Sequence, residues 1–198
     1  MKENEIISSL TVHEWQRVRN KYHIPSQGMD PQRAAEVLFE ADDILKNLDI
    51  KYYLACGTAL GFYRDGGFIP WDDEMDIEIL SDAFVSRLEE LKNEFMKSGF
   101  IARATFRGKT SKMSVFKHGI KVALSSIYDN GDGYHCDLFQ KFPSKYYQNP
   151  EEFVFNGRPF LMPGPISEYL AFYYGDWKTV IKSYDPREYL NTNQCWRK

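Results

Sequence analysis

Apolar residues at Ala34, Val37, Leu38, Ala41, Leu45 and Leu48 recur at helical spacing, and the pair Asp30-Pro31 ahead of them supplies an N-cap and a first helical residue. Lys51-Tyr52-Tyr53-Leu54-Ala55 reads as a strand; Gly57-Thr58 follows it into a short helix, Ala59 to Arg64, that Gly66-Gly67 ends. Over Glu74-Met75-Asp76-Ile77-Glu78-Ile79 polar and apolar positions alternate, so one face of that strand is acidic and the other is core. Ser81 or Asp82 can cap a helix whose Val85, Leu88, Leu91 and Phe95 share a face, with Gly99 as its C′ residue. Strand patterns return over roughly 100–106, 112–118, 120–128 and 134–140, divided by Gly108, Gly119 and the run Asp129-Asn130-Gly131-Asp132-Gly133. Asn156-Gly157, between Phe153-Val154-Phe155 and Pro159-Phe160-Leu161, predicts a hairpin with a type I′ turn, and Pro163-Gly164-Pro165 leads into a last helix, Ile166 to Tyr174. Near the start, Leu10 to Tyr22 carries a short amphipathic pattern that breaks at His23-Ile24-Pro25-Ser26-Gln27-Gly28. The succession predicts an α+β fold in one domain over residues 1–198, with an N-terminal extension over 1–30, a core over 50–140 and a C-terminal elaboration over 141–198.

Composition supports a folded chain: 43% of the 198 residues are hydrophobic and 16% aromatic, enough for one sizeable core. With 25 basic and 28 acidic residues, a net charge of −3 and no Lys/Arg run, nucleic acid is disfavoured as a partner. No stretch reaches the roughly 20 apolar residues of a membrane span, and the first residues lack a signal-peptide core, so the chain reads as soluble and cytoplasmic. Cys56, Cys136 and Cys195 suggest neither a disulfide framework nor a zinc knuckle, and His13, His23, His118 and His135 show no paired ligand spacing.

The acidic strand changes the picture. Asp72 to Glu78 places five carboxylates in seven positions. Like charges this close repel, and burying the strand's other face desolvates them in part, so the cluster requires open water or bound divalent cations. The Gly57-Thr58 turn between a strand and a helix N-terminus is a ready anion site, and Asp137 is a lone carboxylate in the apolar run Tyr134-His135-Cys136-Asp137-Leu138-Phe139. Together these are the parts of metal-dependent phosphoryl or nucleotidyl transfer, in which carboxylates on adjacent strands hold one or two divalent ions, about 3.5–4 Å apart when two are present. A third carboxylate can ligate an ion or accept the proton of an attacking hydroxyl. Taken singly, the acidic run reads as solvated surface and Asp137 as a hydrogen-bonded buried acid. Trp71, Tyr174 and Trp177 read as packing residues, and Lys109, Lys112 and Lys117 as decoration of a sheet edge.

The run from Gly57 to Ile77, with its Arg64-Asp65-Gly66-Gly67 and Pro70-Trp71-Asp72-Asp73-Glu74-Met75-Asp76, resembles the LicD family, a branch of the polymerase-beta-like nucleotidyltransferases that includes bacterial phosphocholine transferases and fukutin-type ribitol-phosphate transferases. The resemblance implies a nucleotidyltransferase-like mixed sheet flanked by helices. It also implies Mg²⁺- or Mn²⁺-dependent transfer of a phospho-alcohol from a CDP-activated donor to a sugar hydroxyl of a cell-surface glycan precursor. On this pattern Glu74 and Asp76 are the metal pair, counted from Pro70-Trp71, Asp137 is the third carboxylate, and Gly57, Thr58 and Arg64 are phosphate-binding. Tyr174-Gly175-Asp176-Trp177 matches a further family signature. Glu74 stands where the family usually has Asp, and Glu78 permits a second register, Asp76 with Glu78. Arg64 can instead pair with Asp65 or Asp72. Two other functions share the motif: transfer of NMP from an NTP to a small acceptor, and nucleotide binding without catalysis.

Overall fold

Asp30 opens the first described helix as its sequence requires: its carboxylate accepts the Arg33 N–H at 2.9 Å, and Pro31 occupies the first turn of α1 (Pro31–Asn47). The computed structural model describes residues 28–107, 110–137 and 140–182. The amphipathic pattern at Leu10 to Tyr22, together with His13, His23, Lys109 and Cys195, lies outside them. After α1 come β1 (Tyr52–Leu54), α2 (Cys56–Asp65), β2 (Glu74–Leu80), α3 (Ser81–Ser86), α4 (Leu88–Lys97), β3 (Ile101–Arg107), β4 (Thr110–Lys117) and β5 (Ile120–Asp129). The chain continues through β6 (Tyr134–Cys136), β7 (Lys141–Pro143), α5 (Lys145–Gln148), β8 (Glu151–Phe155), β9 (Arg158–Met162) and α6 (Ile166–Tyr174).

The main sheet runs β1-β2-β5-β4-β3, with β6 and β7 extending from β5. Among the described strands only β2 and β5 are parallel; the other pairs are antiparallel, so this is the mixed α+β sheet the sequence predicts. Its apolar face carries Met75, Ile77 and Ile79 of β2, Met113 and Val115 of β4, and Val122 and Leu124 of β5, all fully buried, with α1, α3 and α4 packed on that side. Each such side chain contributes about 1.5–3 kcal/mol of burial. The opposite face, from Glu74 and Asp76 across Lys121, Ala123 and Ser125 to Lys112 and Ser114, stays half-exposed.

The helix expected from Ser81 to Gly99 is divided. Arg87 leaves helical geometry (φ −117°, ψ 16°), its guanidinium donates to the Leu48 carbonyl, and the Ser86 hydroxyl turns back on the Asp82 carbonyl. The far end follows the sequence closely: Gly99 takes φ +83°, its N–H reaches Met96, the Phe100 N–H reaches Phe95, and the two phenyl rings meet edge to face at 5.1 Å. The hairpin β8–β9 turns at Asn156 (φ 49°) and Gly157 (φ 80°), both left-handed as a type I′ turn demands. Phe155 then rests on Phe62 of α2 at 4.5 Å. Among the described residues no helix is long and apolar enough to cross a membrane.

Candidate active site

The acidic edge of β2 is fastened to the start of α2 by three hydrogen bonds that converge on Asp76. Its N–H donates to Thr58 Oγ1 at 2.8 Å, its carbonyl accepts from Ala55 at 3.1 Å, and its carboxylate accepts the Gly57 N–H at 3.2 Å. Gly57 is needed at that corner because a Cβ there would lie 2.5 Å from Asp72 Oδ2 and 3.5 Å from Asp76 Oδ2. Two carboxylates therefore meet at a helix N-terminus, where the peptide dipoles favour negative charge. The turn itself differs from the expected glycine turn. Helix α2 begins at Cys56, which carries the positive φ (46°), and Gly57 lies inside the first turn. The Cys56 N–H is taken by the Tyr169 hydroxyl at 3.3 Å, which joins α6 to this corner.

Charge repulsion is written into the cluster. Burial, then the neighbouring Glu74, pushes Asp72 up to about 6. Burial together with Glu74 and Asp72 pushes Asp76 well above the carboxylate range, against the pull of Lys121 and Lys112. Glu74 is ion-paired with Lys121, its direct neighbour in the β2–β5 register. Farther along the same strand Glu78, only 2% exposed, accepts the Tyr147 hydroxyl at 2.8 Å, and burial plus the charge of Asp137 pushes it up to about 8. Asp137 is itself buried and accepts the Gln140 N–H at 2.6 Å.

The predicted residues thus fall into three places. Gly57, Thr58, Glu74 and Asp76 come together at the α2–β2 corner, and Asp137 faces Glu78 one step along the strand. Arg64 is at the opposite end of α2, about 10 Å along the helix from Gly57. Its fork closes on Asp65 at 2.8 and 2.7 Å and its remaining N–H reaches the Trp177 carbonyl, so the Asp65 pairing is the one realised. Tyr174 and Trp177 pack against the core, with Trp177 5.4 Å from the Tyr63 ring. The edge reading of Lys112 and Lys117 is overturned: β4 is an interior strand between β5 and β3, so neither lysine guards an edge, and Lys117 instead pairs with Glu40 and the Ser98 carbonyl.

Asp72, Lys121 and Tyr147 belong to the site and were not singled out by sequence. Asp72 precedes the strand, so alternation could not place it. Lys121 depends on a parallel register, and Tyr147 on a helix that arrives from far along the chain.

Among the described residues no three His, Cys, Asp or Glu side chains are gathered about one point to form a metal cage. The donor set nevertheless suits a hard cation: Asp72 and Asp76 offer carboxylate oxygens at one corner, and Mg²⁺ is usually held by one or two carboxylates with water and substrate phosphates completing the shell.

Comparison with known proteins bears on the family of the chain. Residues 49–164 match the family described as LicD/FKTN/FKRP, nucleotidyltransferase domain. The mouse (Mus musculus) protein named ribitol-5-phosphate transferase FKTN is 28% identical over 171 residues, covering 78% of this chain and 35% of that protein. An uncharacterized Rickettsia prowazekii protein, RP689, is 31% identical over 94 residues, covering 44% of this chain and 34% of the relative. The chain therefore spans about a third of the length of the curated relatives it matches. A crystal structure of ANT(2")-Ia in complex with adenylyl-2"-tobramycin aligns with a TM-score of 0.44 at 13% identity, covering 65% of this chain and 68% of that one.

Proposed function

From the premise that this chain belongs to the LicD/FKTN/FKRP nucleotidyltransferase-domain family, we propose that it is a transferase moving a phospho-alcohol, of the phosphocholine or ribitol-phosphate kind, from a CDP-activated donor to a sugar hydroxyl of a glycan precursor. The observation that carries the reading is the seat of Asp76. A carboxylate that is expensive to charge is held by the Gly57 amide, on a backbone that Thr58 fastens, beside a second carboxylate on the half-exposed face of the sheet.

In this reading Asp76 and Asp72, with Glu74 beside them, hold Mg²⁺ or Mn²⁺, which when bound neutralises phosphate charge and orients the donor for in-line attack. Gly57 fixes the Asp76 carboxylate and Thr58 its backbone, so that the side chain is already placed when the donor arrives. Lys121 balances the excess negative charge through Glu74. Asp137 takes the proton of the attacking hydroxyl as its oxygen bonds to phosphorus and the bond to CMP breaks. Glu78, held by the Tyr147 hydroxyl, stands beside Asp137 in its protonated form.

The test is CMP release from CDP-choline and CDP-ribitol with Mg²⁺, comparing the native chain with Asp76→Asn. Losing charge stabilisation of several kcal/mol lowers the rate by at least about a hundredfold, with the melting temperature retained. Undiminished CMP release by the variant rejects the assignment, and pyrophosphate release from CTP in place of CMP moves the protein to nucleotidyl transfer.

A further inference from the structure

Strand register arranges the polar face of the sheet in rows, since directly paired residues point to the same side. One row reads Asp76, Ala123, Ser114, Arg103; the next reads Glu78, Ser125, Lys112, Thr105. Each row starts acidic on β2, passes over alanine or serine on β5, and reaches a cation on β4 or β3. Ala123, Ser114 and Ser125 carry at most one heavy atom beyond Cβ, so the middle of the face is a shallow trough. From β2 to β4 it is about 10 Å wide, and from β2 to β3 about 14 Å. Ala123, Ser114, Ser125, Lys112 and Arg103 are all half-exposed, while the alternate residues Met113, Val115, Val122 and Leu124 are fully buried on the other side. Tyr147 closes the trough at Glu78.

Lys112 projects over this trough: its charge bears on both Asp76 and Glu78, two strands away. Lys112, on an interior strand, has no edge to protect, and a row of small residues between carboxylates and cations leaves space that larger side chains would have filled.

We propose that the trough is the seat of the donor's diphosphate, with Lys112 and Arg103 holding the phosphate that departs with the nucleoside while the phosphate to be transferred lies at Asp76. The identity of the ligand rests on the transferase reading above; the trough itself rests on register and burial. Ser114 and Ser125 line the floor and offer hydroxyl donors to the same oxygens.

Calorimetric titration of CDP and of inorganic pyrophosphate, each with Mg²⁺, tests the inference on the full chain and four trough variants: Lys112→Ala, Lys112→Arg, Arg103→Ala and Ala123→Leu. Lys117→Ala serves as a control, because that ammonium is spent on Glu40 and the Ser98 carbonyl. The expected result is CDP binding weakened about tenfold or more by Lys112→Ala and Arg103→Ala, largely restored by Lys112→Arg, and unchanged in the control. Ala123→Leu fills the floor without removing charge and must also weaken binding; circular dichroism melts confirm that the variants compared are folded. If the native chain binds CDP and the trough variants bind it equally well, the trough is wrong and the transferase reading stands. If CDP is ignored but pyrophosphate binds and is lost in the same variants, the trough stands and the nucleotide donor falls. Binding of neither ligand overturns both.

Discussion

Glu78 shows how much one residue can report. A carboxyl buried beside Tyr147 and Asp137 and pushed up to about 8 keeps its proton in the folded protein over a range where the unfolded chain, titrating near 4.5, has lost it. Because the native state binds more protons there, stability falls as pH rises from about 4.5 to 8, with a span of a few kcal/mol. Asp72, pushed up to about 6, adds to the decline in the lower part of that window. Glu78→Gln preserves an acceptor for the Tyr147 hydroxyl and has no proton to release. Urea midpoints measured from pH 5 to pH 8 are therefore expected to drop less steeply in the variant, and equal slopes would show that Glu78 is charged throughout. At this scale sequence was a partial guide. Period-2 alternation put Glu74, Asp76 and Glu78 on one face, but it could not show that Glu78 is sealed by an aromatic side chain from α5 while Asp76 is left half-exposed.

Between elements, the junction of α1 with the β8–β9 hairpin rests on Asp42, which is 1% exposed and accepts from the Tyr52 hydroxyl at 2.6 Å, Lys46 at 2.9 Å and Arg158 at 3.3 Å. Arg158 also lies over the Phe39 ring at 4.5 Å. Asp42→Ala leaves the buried Tyr52 hydroxyl without its acceptor, while Arg158 keeps Asp43 at 2.7 Å and the Phe39 carbonyl at 3.2 Å, an expected loss of about 2 kcal/mol by urea unfolding. Arg158→Leu, at a position 36% exposed, should cost clearly less; the reverse order would place the stability of the junction in the cation. Elements whose signals are local were legible in the chain: the Asp30-Pro31 cap, the Asn156-Gly157 turn, the Gly99 terminus and the last helix. Those that failed depend on distant partners. Arg87 breaks a helix because it reaches Leu48, Cys56 takes a positive φ where its N–H meets Tyr169, and Lys112 occupies an interior strand because of a strand order that no periodicity encodes.

At the scale of the molecule, the parallel pairing of β2 with β5 has a kinetic meaning. β3, β4 and β5 form a meander of near-neighbour hairpins, whereas β2 reaches β5 only after α3, α4 and both intervening strands have been placed. Local contacts form early and long loops close late, so the meander is the natural nucleus and the arrival of β2 a late event. Lys121, which balances the acidic corner through Glu74 across that pairing, is thus in place, and the corner complete, only on the native side of the folding barrier. A divalent ion that grips it is a latch, not a template. In stopped-flow experiments Mg²⁺ should slow the unfolding arm of the chevron and leave the folding arm where it is, and stripping the ion with a chelator should restore the faster unfolding rate.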